Sequence, residues 1–122
     1  MDEIKLFDAE MKFMNIIWNN APINSTSLAK LANEELGWKK STTYTVLRKL
    51  GKRGVLKNEN ATVTYLVERE EVQQSESEEF IDKVYDGSLK LFLTSFLNKE
   101  KLSESQALEL KKIIDENTKK EE

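Results

Sequence analysis

The 122-residue chain contains no cysteine and no histidine. Without cysteine it has no disulfide framework and no thiolate metal ligand, and without histidine it lacks the side chain that most often serves as a general base. Acid–base chemistry would fall to carboxylates and lysines. We therefore expect that the protein is not an enzyme and that it carries no metal and no cofactor.

Long apolar runs and proline are also scarce. No stretch approaches the roughly 20 apolar residues of a membrane span, and the start of the chain lacks the basic-then-apolar layout of a signal peptide. The single proline is Pro22. These features favour a cytoplasmic protein with no membrane insertion and one modest core, or one small domain with a helical appendage.

Charge is distributed unevenly along the chain. Residues 1–67 contain ten Lys/Arg against seven Asp/Glu, whereas residues 68–122 contain nine against fifteen. Residues 39–57 hold seven basic residues and no acidic one. A basic stripe inside an acidic protein is typical of a surface that meets a polyanion such as DNA. A solvated lysine-rich face is the alternative.

The first predicted helix covers about residues 8–19. Phe7, Met11, Met14 and Trp18 lie four, three and four residues apart, which is the spacing of one helix face, and Asp8 is placed to cap the start. The break at Pro22 ends this helix.

Two more helices are predicted before residue 54. Asn24 can cap the second, which ends at Gly37. The third runs from about Lys40 to Arg53 and stops at Gly54. The spacing of four of its residues predicts that they face the core. They are Thr43, Val46, Leu47 and Leu50.

The pattern then changes to the period of strands. Residues 55–57 and 62–67 predict two strands, joined by a turn at 58–60. Three helices followed by a hairpin is the winged-helix order, in which the last helix enters the DNA major groove. We expect a mainly α fold with a small β-hairpin, in which residues 1–70 form a winged-helix DNA-binding domain.

Residues 71–122 predict a helical domain that contains one unusually apolar helix. Its apolar side chains cover most of the circumference, so a partner chain is implied. The last helix begins with the capping box of Ser103 and Gln106. We expect this domain to mediate dimerisation. The proposed dimer contacts are Leu89, Phe92, Leu93, Phe96, Leu97, Leu110 and Ile114.

The face of the third helix opposite its buried side combines small polar residues near the start with cations further along. Short polar groups there can approach base edges, while the cations reach phosphates. The proposed DNA contacts are Lys39, Lys40, Ser41, Thr42, Tyr44, Thr45, Arg48, Lys49, Lys52 and Arg53. N-capping is the alternative role for Ser41. Tyr44 could stack on sugars, contact a thymine methyl group or shield the helix.

A resemblance to a known family is carried by residues 38–54, which read WKKSTTYTVLRKLGKRG. This segment resembles the penicillinase-repressor family of bacterial transcription regulators, the BlaI/MecI/CopY type. Further similar segments follow in the same order: residues 8–10 and 16–18, Pro22, Tyr65, and residues 87–89, 95–97 and 101–103. The likeness covers nearly the whole chain.

The resemblance implies a homodimer whose winged helices bind a dyad-symmetric operator. It also implies release by a membrane sensor protease that cleaves before a phenylalanine, here between Ser95 and Phe96. Family members released in this way typically carry Asn where this chain has Ser95. The copper-responsive branch uses a C-terminal cysteine cluster, which this chain lacks.

The leading hypothesis is a dimeric transcriptional repressor that blocks a promoter, with a role in antibiotic resistance through a β-lactam-type signal. The alternative is a winged-helix module whose basic helix binds an acidic protein partner. Binding to DNA weakens steeply with salt, and this dependence distinguishes the two hypotheses.

Overall fold

A computed structural model describes residues 5–121. The chain divides into two compact units, residues 1–79 and 80–122. The described elements are α1 (Asp8–Asn20), β1 (Ile23–Asn24), α2 (Ser25–Leu36), α3 (Lys40–Lys52), β2 (Leu56–Glu59), β3 (Thr62–Tyr65), α4 (Arg69–Tyr85), α5 (Leu89–Lys99) and α6 (Glu104–Glu116). Residues 1–4, on which the expected lack of a signal peptide partly depended, lie outside the described part.

The buried face of α1 overlaps only in part with the stripe that the spacing indicated: Met14 of that stripe is fully buried. Phe13 and Ile17 are fully buried, whereas Phe7, the first residue of the predicted stripe, is 70% exposed. Met11 and Trp18 are half-buried. Apolar side chains lie on most sides of this helix, so packing against α2 and β3 rather than spacing determines which of them become buried.

The predicted cap of α1 is also wrong, because Asp8 is the first residue of the helix and not its N-cap. The N-cap is Phe7, whose side chain has no acceptor. Its backbone N–H donates instead to Oε1 of Glu10 at 3.0 Å. A carboxylate at the third helical position thus satisfies the free N–H from inside the helix.

The helix α2 begins and ends at the predicted residues. The Oδ1 atom of Asn24 accepts a hydrogen bond from the N–H of Thr26 at 2.8 Å, which satisfies one of the free donors of the first turn. Gly37 ends the helix with a φ of 71°, in the left-handed region that glycine adopts without a steric cost.

The wing is a hairpin of β2 and β3, and β1 adds a third antiparallel strand in the order β1-β3-β2. Strand β1 was not predicted, because two residues are too few to show an alternation. The predicted turn began two residues too early. Glu59 pairs with Thr62, and the loop is Asn60 and Ala61, with φ of 52° and 61°. Positive φ at both loop residues is typical of a type I′ turn, which matches the twist of the two strands.

The start of α4 belongs to the core of the first unit. Val72 is fully buried, and the indole Nε1 of Trp18 donates to the carbonyl of Val67 at 3.0 Å, just before the helix begins. The backbone N–H of Leu6 donates to Oε1 of Glu76 at 3.2 Å. The predicted domain boundary at residue 70 lies in the first turn of α4. Val67 before it and Val72 after it both belong to the core of the first unit.

The second unit contains the end of α4 together with α5 and α6. Phe92 of α5 lies at the centre of an aromatic cluster, with ring centroids 6.2 Å from Phe80, 5.3 Å from Tyr85 and 5.9 Å from Phe96. No residue of α5 or α6 is fully buried. The predicted capping box of α6 is confirmed, since Ser103 Oγ accepts from the Gln106 N–H at 3.1 Å.

Within residues 5–121, the helices are too short or too polar to span a bilayer.

Candidate nucleic-acid interface

Helix α3 is held in place by the turn that precedes it. The side-chain amide of Asn33 donates to the carbonyl of Trp38 at 3.0 Å, and the Trp38 ring lies 5.0 Å from that of Phe13 in α1. These two contacts connect the turn to α2 and to the core. They therefore fix the position of the residues at which α3 begins.

The buried side of α3 is the predicted one. Thr43 and Leu50 are fully buried and Leu47 is 2% exposed, while Val46 is half-buried. At about 100° per residue, these side chains leave the opposite side of the helix free. That exposed face, called the α3 face below, consists of Ser41, Thr45, Arg48, Lys49 and Lys52.

The hydroxyl groups at the start of α3 do not cap it. The N-cap is Lys39, which makes no side-chain cap hydrogen bond, so the alternative role of Ser41 as the cap is wrong. Thr43 Oγ1 donates to the Lys39 carbonyl at 3.4 Å and Thr45 Oγ1 donates to the Ser41 carbonyl at 2.9 Å. The hydroxyl of Ser41, like that of Thr42 beside it, is exposed at the helix entrance.

Tyr44 connects α3 to the beginning of α2. Hydrogen bonds with the side chains of Ser25 and then Thr26, with a smaller contribution from the charge of Lys40, lower the pKa of the Tyr44 phenol below its ordinary value of 10.0, against the opposing effect of partial burial. The ammonium group of Lys40 lies 6.0 Å from the centre of the Tyr44 ring. Tyr44 therefore joins the two helices and is itself half-buried.

The basic residues of this region differ in whether an acidic neighbour neutralises them. Arg53 pairs with Glu10, Nη1 to Oε1, at 3.0 Å, and Lys57 pairs with Glu59 at 2.8 Å. The other five make no ion pair within residues 5–121, and all are exposed. They are Lys39, Lys40, Arg48, Lys49 and Lys52.

The wing contributes little positive charge to this surface. Residues 58–64 contain no Arg or Lys, and the one cation of β2, Lys57, is paired with Glu59 within the same strand. The positive potential of the first unit therefore centres on α3 and its entrance.

The apolar residues of the second unit form a separate candidate surface. Among the predicted dimer contacts, Leu89 is 60% exposed, Phe96 49% and Ile114 58%. Leu93 and Leu110 are also exposed, whereas Phe92 and Leu97 are half-buried. Five further apolar residues of this unit are exposed but were not among the predicted dimer contacts. They are Phe80, Val84, Leu91, Leu108 and Ile113.

Their signal was present in the sequence. Phe80 and Val84 lie one helical turn apart near the end of α4, and Leu108 and Ile113 lie beside the predicted dimer contacts of α6. In a unit of three short helices, side chains on both sides of a stripe remain exposed because too few elements surround them.

The bond between Ser95 and Phe96 lies inside α5. Both side chains are exposed, but the backbone around them is helical from Leu89 to Lys99. A protease that binds its substrate in an extended form would need α5 to unfold locally at this point.

Three helices, a β-hairpin and a basic exposed α3 define the winged-helix class of proteins. Within that class, the sequence matches the family described as penicillinase repressor over residues 6–116, and the chain belongs to this family. Its members are regulatory DNA-binding proteins and not enzymes.

The chain is similar to regulatory proteins of Staphylococcus and of Bacillus. It is 31% identical over 114 residues to the methicillin resistance regulatory protein MecI of Staphylococcus aureus, covering 90% of this chain and 93% of that protein. It is 29% identical over 123 residues to the penicillinase repressor of Bacillus licheniformis, covering 96% of each. The penicillinase repressor of S. aureus is 21% identical over 122 residues and 97% of each chain.

Proposed function

We propose that the protein is a transcriptional repressor that binds a dyad-symmetric DNA operator as a homodimer and blocks a promoter by occupying it. The observation that carries this proposal is the group of five exposed cations on and before α3 that no acidic side chain neutralises within residues 5–121. Five uncompensated charges on one surface favour a polyanionic partner.

The α3 face would read the operator in two ways. Ser41, Thr42 and Thr45 lie at the N-terminal half of the helix and are short enough to approach base edges. Arg48, Lys49 and Lys52 would neutralise phosphates on either side of the groove. Arg53 would contribute less, because Glu10 already neutralises it.

The dimer would form through the apolar surface of the second unit. Phe96 and Leu89 of α5 and Ile114 of α6 are about half exposed or more, and burying them against a second copy would remove apolar area from water. Two winged helices held by one dimer would enter major grooves about one helical turn apart.

Release would follow from cleavage in the second unit. The names of the relatives refer to penicillinase and to methicillin resistance, which supports a β-lactam-type signal and a role in antibiotic resistance. The partner that makes the cut would be a membrane sensor protease. The proposed bond is Ser95–Phe96, after a local opening of α5. The protein would act in the cytoplasm, where the bacterial chromosome lies.

Selection from a pool of random duplex DNA tests the proposal. Several rounds of capture with the full-length chain should enrich an inverted repeat whose half-sites are about one helical turn apart, centre to centre. The Arg48→Ala, Lys52→Ala double variant is taken through the same rounds and gives the background enrichment. If the two proteins enrich the same sequences, or if neither enriches any, the protein does not bind an operator through α3.

A further inference from the structure

An open cleft of about 500 Å³ lies between α3 and the wing. All of its lining residues belong to the first unit. They are Leu47, Arg48, Gly51, Lys52, Leu56, Lys57, Asn58 and Leu66. A volume of this size falls within the range of small-molecule sites.

The floor of the cleft is apolar. Leu47 and Leu56 are almost completely buried, whereas Leu66 is 58% exposed. A backbone hydrogen bond of 2.9 Å from the Leu66 N–H to the Val55 carbonyl fixes this position, directly after the last residue of β3. An exposed leucine beside two buried ones gives the cleft an apolar surface that phosphate and sugar groups of DNA would not need.

Gly51 keeps the cleft open from the side of α3. Its φ is not in the left-handed region, and a Cβ built there would lie 3.8 Å from Cδ1 of Leu56, an ordinary contact. The backbone therefore does not require glycine, although glycine inside a helix costs about 0.5–1 kcal/mol relative to alanine. The missing side chain is what leaves space in the cleft.

Cationic side chains lie at the rim of the cleft. Arg48 and Lys52 are one helical turn apart, so their side chains rise on the same side of α3. Neither makes an ion pair in the described part of the chain. Lys57 is already paired with Glu59. Arg48 and Lys52 are therefore the cations that can donate hydrogen bonds to an anion, and the side-chain amide of Asn58 lies on the opposite wall of the cleft.

We propose that this cleft binds a small amphiphilic anion, namely a molecule with an apolar body of one or two rings, or a short acyl chain, and a carboxylate or phosphate head. The body would lie over Leu47, Leu56 and Leu66, and the head would accept hydrogen bonds from Arg48 and Lys52. Such a head would occupy the cations that the proposed function assigns to DNA phosphates, so bound ligand and bound operator would exclude each other. This last step rests on the proposed function, whereas the binding itself does not.

Titration of the ¹⁵N-labelled full-length chain with 2-naphthoate, followed by NMR, tests the binding. Saturable shifts should concentrate on the amides of the cleft residues. The neutral 2-naphthamide should bind at least about tenfold more weakly, because a charge-assisted pair is stronger than a neutral one. A parallel titration with 2-naphthyl phosphate shows which head group is preferred. Shifts on α5 and α6 alone, or equal affinity for the amide, would overturn the proposal.

Two variants separate the floor from the rim. Gly51→Leu fills the cleft and should abolish the saturable shifts, whereas Leu66→Ser, on an exposed side chain, should weaken binding without disturbing the fold. Arg48→Gln with Lys52→Gln should reduce the preference for 2-naphthoate over 2-naphthamide, and Lys111→Gln with Lys112→Gln on α6 should leave it unchanged. If Leu66→Ser and the α3 double variant both bind like the parent chain, the ligand does not lie in this cleft.

Competition with DNA is measured separately. In fluorescence anisotropy with the selected operator, 2-naphthoate should displace the protein from the DNA, and 2-naphthamide should not. If 2-naphthoate binds the cleft but leaves an operator complex intact, the cleft is a ligand site and the exclusion of DNA is wrong. If no operator is enriched at all, the failure belongs to the proposed function, and the NMR result still decides the binding site.

Discussion

The guanidinium of Arg53 donates to both carboxylate oxygens of Glu10, at 3.0 and 3.2 Å. This pair joins the residue after α3 to the first turn of α1. The same Glu10 carboxylate accepts the N–H of Phe7, and Arg53 also donates to the carbonyl of Lys5. Arg53 therefore has a structural role that its place in a basic segment did not indicate.

Replacing Arg53 with Ala should lower the free energy of unfolding by about 1 kcal/mol, at the upper end for a surface ion pair, because the contact is made to both oxygens and Glu10 is largely covered. Glu10→Gln should cost a similar amount, since it breaks the same pair while keeping an acceptor for Phe7. Urea unfolding of both variants measures this. If Arg53→Ala also lowers the salt slope of operator binding by about two units, Arg53 contacts phosphates in the dimer.

Ala61→Gly should stabilise the protein. Ala61 has a φ of 61°, and a non-glycine residue in this region costs about 1–2 kcal/mol. After subtracting the greater flexibility of glycine in the unfolded chain, we expect a gain of about 0.5–1 kcal/mol in urea unfolding. Asn60→Gly is the matched control and should gain less, because Asn tolerates a positive φ. A loss of stability in Ala61→Gly would contradict the assigned turn.

The sequence was most informative where a local rule determines the structure. Asn24 and Ser103 act as caps, Gly37 ends its helix, and Thr43, Leu47 and Leu50 turn inward, all as their spacing predicted. Each of these outcomes depends on residues within about one helical turn.

The predictions failed where distant residues decide. The buried face of α1 depends on how α2 and β3 pack against it, and β1 exists only because Ile23 pairs with Val63, 40 positions away. Arg53 and Glu10 are 43 positions apart. No periodicity within one segment contains this information. The predicted DNA and dimer contacts stay predictions, because they depend on partners that a single chain does not include.

Phe96→Ala should dissociate the proposed dimer. Its ring is 49% exposed in the single chain, and losing a phenylalanine that becomes fully buried between two copies costs about 3–5 kcal/mol. Analytical ultracentrifugation should then detect monomer at low micromolar concentration. Thr94→Ala, on the same helix and exposed, is the control and should remain dimeric. A dimer that persists in Phe96→Ala would place the contact elsewhere.

A chain that ends at Ser95 imitates the proposed cleavage product. It lacks the end of α5 and all of α6 but retains the whole first unit, so circular dichroism should still report a folded winged helix. Operator affinity should fall strongly, because one dimer that holds two half-sites binds more tightly than two independent subunits. A chain ending at Asn117, which keeps α6, should bind like the full-length protein. Full affinity in the shorter chain would exclude cleavage here as the switch.

The salt dependence of operator binding tests the central claim, that the α3 face holds DNA. In an anisotropy titration, Arg48→Ala with Lys52→Ala should flatten the log–log slope by roughly three to four units, since each of four lost phosphate contacts in the dimer contributes about 0.9. Lys111→Ala with Lys112→Ala removes the same charge from α6 and should leave the slope unchanged. An unchanged slope in the α3 variant, or an equal change in both, would contradict the account.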